Sequence, residues 1–513
     1  MNADPFRRAW RSSAVALVML ATAAGLAAQE RNPERLSDYY GSSEELVWRG
    51  TQALKICNGL FVSGRTLDQI YREELTGLRP RGPMSQSRVN IHRGLRAVEV
   101  GVEGADGISP MRAAYRDGLG CIVMAPHQDL SDIESLPSRT PYVYDDDPST
   151  IPWPNGDLID ESVPSPPGID VRALSAASDW AFDRVGHGGH EGQITTGLLV
   201  VHQGRIVLER YAPGFDANTV TRTWSTAKSI ASTLIGIAVD QGLLQLDAPL
   251  PVEWLPRTPE GVVDPRSQVT LRHALQMSSG LYPMDNEYNW VRGSHMVYFA
   301  GWDAGYHPRD RGLIHEPGGV FEYENYDTLL ALLSLRLAIG HDEEFLEFPH
   351  RHLFQRIGMR STLPGVDRFG NYILSSQVYT NARDLARLGL LFLNRGEWNG
   401  ERIISEEWLD FALSPAPSTE TTGRQYGAQI WLVPDSRTDL PQDAFSTQGA
   451  QGQFTIVVPS YDLVIVRRGL DWREGAAGRG LSSWDLLAEV LSAFEAREGG
   501  QKVPVMGSDR GAR

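Results

Sequence analysis

Lysine is nearly absent from this chain. It occurs three times in 513 residues, at Lys55, Lys228 and Lys502, among 48 basic side chains that are otherwise arginine. Biased genome composition accounts for the preference, so each surviving lysine is worth following. Cysteine is equally scarce, with Cys57 and Cys121 alone. Two cysteines exclude a disulfide-framework protein and a cysteine-rich zinc cluster. Positive charge is outweighed: 64 acidic residues leave a net charge of −16. Such a surface repels phosphate backbones and excludes a general nucleic-acid binder. Long apolar runs are missing except one, Ala14 to Ala28, which follows Arg7, Arg8 and Arg11. That run is shorter than the ~20 residues of a bilayer span. With small residues at Gly25-Leu26-Ala27, it reads as a signal peptide over 1–28. The expectation is an exported chain, periplasmic or secreted, with no stable membrane span after cleavage. No Gly-x-Ser-x-Gly elbow and no phosphate-cradling glycine motif occur, which excludes the α/β-hydrolase and nucleotide-binding readings. His187-Gly-Gly-His190-Glu191 lacks the rigid helix face of a zinc protease, so neither metal nor cofactor is expected.

What is present divides into zones. Residues 31–140 read as a compact accessory module, with helical segments near Ser43–Leu54 and Leu67–Leu75 and alternation over Leu95-Arg-Ala-Val-Glu-Val-Gly-Val. Residues 141–170 are a linker dense in Pro, Asp and Ser. Residues 171–497 form one large unit, and 498–513 a disordered tail. That unit opens with a hairpin, Thr196–Val201 and Ile206–Tyr211, turning at Gln203-Gly204. A long apolar helix follows, then a mostly helical middle. Strands at Phe454–Pro459 and Leu463–Arg467 and a last helix near Trp484–Arg497 close it. Strands at both ends of the unit predict an α+β fold: an antiparallel sheet flanked by helices, with a large helical insertion. Cys57 and Cys121 are candidates for a disulfide, permissible after export. It would span 64 residues and contribute roughly 4 kcal/mol. Two buried thiols are the alternative.

The apolar helix opens on Ser225-Thr226-Ala227-Lys228. A hydroxyl and an amine three residues apart share one helix face. Burying the lysine among Ala227, Ile230, Ala231, Leu234 and Ile235 disfavours its charged form, at a cost of roughly 4 kcal/mol to reach neutrality. A lysine near neutrality can take the proton of Ser225, whereas arginine never deprotonates. An N-capping serine with a snorkelling lysine fits the spacing equally well. Two further segments bear on the choice. Tyr323-Glu324-Asn325 precedes a second apolar helix, Thr328–Leu337. Tyr323 is a candidate proton relay, and Asn325 a candidate to bind a substrate carbonyl and hold the lysine. Gly449-Ala450-Gln451-Gly452-Gln453 opens the late strand. Gly452 permits close approach of backbone to a ligand, and the Gln453 N–H is a candidate oxyanion donor with that of Ser225.

In this order and spacing, these elements resemble the serine β-lactamase and DD-peptidase superfamily. Tyr-x-Asn is similar to its class C branch and esterase relatives. TWSTAKS together with GAQGQ looks most like the 6-aminohexanoate-dimer hydrolase and carboxylesterase members. The resemblance covers about 190–497 and implies a Ser-Lys-Tyr acyl-enzyme mechanism on an ester or amide, with Ser225, Lys228 and Tyr323 as catalytic residues. Penicillin-recognising members carry Lys-Thr-Gly, or His for Lys, where this chain has Ala450-Gln451-Gly452. The missing cation favours an esterase or amidase over a DD-carboxypeptidase or class C-like β-lactamase; a non-catalytic sensor on the same fold is the reading from another class. Substrate choice is expected in a loop over 281–316, with Tyr282, Asp285, Glu287 and Tyr288 as candidates. The implied partner is a small-molecule ester, amide or peptide.

Overall fold

The computed structural model describes residues 42–75, 88–101, 107–160, 162, 166–284, 293–420, 423, 425–472 and 480–495. The segments read as a signal peptide and a tail, and Asp285, Glu287 and Tyr288, lie outside the described residues.

The described residues begin with a helix longer than its sequence pattern suggests, α1 (Ser43–Phe61), buried along most of its length. It lies on an antiparallel meander of four strands, β1 (Val89–His92), β2 (Ala97–Val100), β3 (Met111–Arg116) and β4 (Gly120–Val123). Cys57 of α1 and Cys121 of β4 are joined by a disulfide, which fastens the helix to the sheet. The segment after this unit is not a free tether. Arg387 donates to the carbonyls of Pro154 and Gly156 at 2.8 and 2.7 Å, and Arg360 holds Asp146 at 2.9 Å. Prolines and acids that read as a linker are here the partners of arginines.

A helix, α2 (Val171–Phe182), leads into the hairpin β5 (Thr195–His202) and β6 (Arg205–Tyr211). Gln203 and Gly204 both take positive φ, 50° and 73°, the conformation a two-residue hairpin turn requires. Next come β7 (Thr221–Arg222) and the long apolar helix α3 (Thr226–Asp240). The insertion contains α4 (Ser294–Phe299) and α5 (Asn325–Ile339). Strands β8 (Leu363–Pro364) and β9 (Val378–Thr380) complete a small sheet in the order β7-β9-β8. Helix α6 (Ala382–Leu393) follows, then β10 (Trp431–Leu432), β11 (Phe445–Gly449), β12 (Gln453–Val458), β13 (Leu463–Gly469) and α7 (Ser483–Leu491). The main sheet is antiparallel throughout, in the order β10-β11-β12-β13-β5-β6. Both ends of the unit thus meet at β13 and β5.

One face of this sheet is covered by α2 and α7, the other by α6 and α3. The second core continues without a break through α5 and α4 into α1 and its meander. Helix α4 lies in the stretch expected as a roofing loop. It is buried because α1 packs directly against it: a Cβ on Gly50 would overlap the carbonyl oxygen of Phe299.

Candidate active site

The small sheet and α3 meet at a sharp turn. Trp224, between β7 and α3, has φ +51°. A bulky side chain in the left-handed region costs about 1–3 kcal/mol and persists only where its surroundings fix it. Its indole Nε1 donates to Gln451 Oε1 at 2.7 Å, and the Arg222 guanidinium lies 3.8 Å from its ring centroid. This turn delivers Ser225 half-buried at the start of α3. Ser225 has φ −65° and ψ −9°, and its side chain makes no capping bond. An N-capping serine adopts extended backbone and spends its oxygen on the next turn's amides. Ser225 does neither, so its hydroxyl is left for other work.

Lys228 is one turn on and 1% exposed. Its Nζ lies 3.3 Å from Ser225 Oγ, donates to the Ser375 carbonyl at 2.8 Å and is bonded to Asn325 Oδ1. Two of these partners accept only. The third, a hydroxyl, can also donate. An ammonium fills the site with three N–H bonds; a neutral amine fills it with two and turns its lone pair to the serine proton. The geometry therefore accommodates both ends of a proton transfer.

Asn325 opens α5, where the Glu324 carboxylate caps the helix by accepting from Tyr326 N at 3.1 Å. Its Nδ2 donates to Ser294 Oγ on α4 at 3.0 Å, which turns Oδ1 toward the lysine. Tyr323 approaches by its ring face, 4.9 Å from Lys228 Nζ to the centroid. It stacks on Trp431 and meets Tyr426 edge-on. Burial, with Tyr323 beside it, pushes the Tyr426 phenol well above its ordinary value. Tyr426 is thus wall rather than acid or base.

Gly452 and the Gln453 side chain have their partners within the sheet. A Cβ on Gly452 would overlap the Arg467 guanidinium, which pairs with Asp471 at 2.7 Å inside the sheet. The Gln453 side chain bonds the Gly469 carbonyl, and its own carbonyl accepts from Thr226 Oγ1 at 3.1 Å. These contacts tie Gly452 and the Gln453 side chain to the sheet interior. The glycine against the serine turn is Gly449, at the end of β11, where a Cβ would overlap the Thr223 carbonyl and crowd the Thr226 amide. Tyr282 stands 41% exposed on its loop.

Sequence reasoning missed Ser375 and Tyr298. Tyr298 OH is 2.7 Å from Ser375 Oγ, fixing the loop whose carbonyl receives the lysine. A backbone carbonyl leaves no side-chain signature, so no motif could have revealed it.

The sequence profile described as Beta-lactamase matches residues 182–467. The 6-aminohexanoate-dimer hydrolase of Paenarthrobacter ureafaciens is 24% identical over 329 residues, covering 60% of this chain and 79% of that protein. A family VIII carboxylesterase of known structure is 16% identical with a TM-score of 0.47, over 64% of this chain and 98% of its own. The penicillin binding protein from Bacillus halodurans is 17% identical with a TM-score of 0.44, over 63% and 99%. The family match spans more than half the chain and takes in the hairpin, the serine turn, the lysine, the asparagine and the closing strands, so the chain belongs to the beta-lactamase family.

Proposed function

We propose that this protein is an exported serine hydrolase that cleaves an ester or a linear amide through an acyl-enzyme on Ser225. The observation that carries the reading is the uncapped Ser225 hydroxyl 3.3 Å from the buried Lys228 amine. In the first step Ser225 Oγ attacks the carbonyl carbon while its proton passes to Lys228 Nζ. The developing oxyanion is received by peptide N–H groups at the start of α3 and at the Gly449–Ala450 end of β11, each such donor worth about 10²–10³ in rate. The proton then moves from Lys228 to the leaving group, with Tyr323 as relay. Water, activated by the same pair, releases the acyl group.

The residues beside the turn support this substrate class. Ala450, Gln451 and Gly452 provide no cation for a substrate carboxylate, and Tyr323, Tyr426 and Trp431 form an aromatic wall. An acyl group that carries no carboxylate suits this site better than an anionic β-lactam. The relative's name, 6-aminohexanoate-dimer hydrolase, supports including linear amides. Export is supported by the Cys57–Cys121 bond, which belongs to an oxidising compartment.

The test is a panel of p-nitrophenyl esters, linear amides including the 6-aminohexanoate dimer, and nitrocefin. Turnover of esters or amides, lost equally in Ser225→Ala, Lys228→Ala and Lys228→Arg, is the expected result. Substantial activity in Lys228→Arg refutes the proton transfer, and preference for nitrocefin refutes the substrate class.

A further inference from the structure

The first of the three lysines, Lys55, lies in α1, far in sequence from the site and 3% exposed. Its Nζ is 3.3 Å from Glu74 Oε2 and 5.6 Å from the centroid of the Trp224 ring. Glu74 also pairs with Arg65. Burial alone would raise the Glu74 carboxyl, but the charges of Arg65 and Lys55 override it and hold it at about 2. Burial lowers the Lys55 amine, and the Glu74 carboxylate acts against that shift in favour of the ammonium, whose charge is attracted to an indole face.

Trp224 therefore meets two cations. Lys55 comes from the N-terminal unit, and Arg222 from β7. Arg222 has its Nε on the Ser376 carbonyl at 3.2 Å and its Nη2 on Ser376 Oγ at 2.6 Å. Ser376 follows Ser375, whose carbonyl holds Lys228. The indole in turn is the anchor of the left-handed residue immediately before Ser225. Glu74 is the carboxylate that offsets the mutual repulsion of Lys55 and Arg222. An ammonium, a compact point charge, fits between Glu74 and a ring face without needing the planar fork of arginine.

We propose that Lys55, paired with Glu74, is a positioning residue for acyl transfer: it clamps the Trp224 indole from the N-terminal unit and so fixes the Ser225 hydroxyl against Lys228. The N-terminal unit is then part of the catalytic apparatus. This rests on the reading of Ser225 as nucleophile, and the experiment separates the two.

The test uses the full chain with Lys55→Met, which keeps the apolar stem and removes the charge. Active sites are counted with a fluorophosphonate, and p-nitrophenyl ester kinetics are normalised to that count. The expected result is a fall in kcat of about 10- to 100-fold, the range a misplaced reacting group produces, with KM changed less than about twofold. Lys55→Arg restores part of the loss. In a Trp224→Phe background, Lys55→Met adds nothing further, because its route to the serine is already gone. A Lys55→Met enzyme with wild-type kcat and only a lower Tm overturns the proposal, as does an equal loss in the Trp224→Phe background. Should Lys55→Met fail to fold, Lys55→Met/Glu74→Gln, which removes both charges, is measured against the same outcomes. Wild-type protein that is not labelled at Ser225 overturns the nucleophile itself, a result distinct from any of these.

Discussion

Asn325→Asp asks whether the asparagine serves the lysine or the substrate. The substitution is nearly isosteric and places a carboxylate oxygen where Oδ1 now receives Lys228. A pair of unit charges at about 4 Å with an effective dielectric of about 20 interacts by about 4 kcal/mol. Opposite charges this close favour the protonated amine by about one to three pH units. The sign is fixed: the amine keeps its proton to higher pH, so the form able to accept from Ser225 becomes rarer. At pH 7, kcat/KM for a p-nitrophenyl ester falls about 10- to 1000-fold. The ascending limb of the pH–rate profile moves up by the matching interval. The fold tolerates the change, because Ser294 Oγ, now accepting from Nδ2 at 3.0 Å, can rotate and donate to the carboxylate. Tm is unchanged or higher. The assay is a pH–rate profile from pH 5 to 10 on protein with an active-site count. An unmoved limb with a rate within about twofold of wild type refutes the reasoning. A lower rate with an unmoved limb would assign Asn325 to substrate binding alone.

Two further predictions concern stability. Glu74 is depressed to about 2 from an ordinary 4.5, so the stability it contributes is present above pH 4.5 and lost as pH falls through about 2. The stability gap between wild type and Glu74→Gln narrows by about 3 kcal/mol between pH 5 and pH 2 in denaturant titrations; a gap independent of pH contradicts the ion pair. The Cys57–Cys121 bond closes a separation of 64 residues. Replacing both cysteines by alanine should lower unfolding free energy by about 4 kcal/mol, measured in urea, and an undiminished midpoint contradicts it.

Legibility followed range. Ser225 and Lys228 could be read because an i, i+3 pair is local, as is the Gln203-Gly204 turn. Asn325 could be read because Tyr-x-Asn leads directly into a helix. Strand β11 could not. Phe445-Ser-Thr-Gln-Gly449 lacks both alternation and β-branched weight, and its glycine matters only through contact with Thr223 across more than 200 residues. For that reason the sequence points to Gly452 and Gln453 instead; Gly452 lies against the buried Arg467–Asp471 pair, and the Gln453 side chain bonds the Gly469 carbonyl. The left-handed Trp224 was equally silent, since tryptophan rarely adopts that backbone. Lys55 stood out by rarity alone. Its partners, Glu74 and Trp224, come from separate elements, and no periodicity links them.

The central claim is that Ser225 is the nucleophile, and intact-mass analysis after fluorophosphonate treatment, with peptide mapping, tests it most directly. One adduct per chain on the peptide bearing Ser225, absent from a folded Ser225→Ala variant, is the predicted result. A folded wild-type protein that stays unlabelled, or labels on another residue, contradicts it.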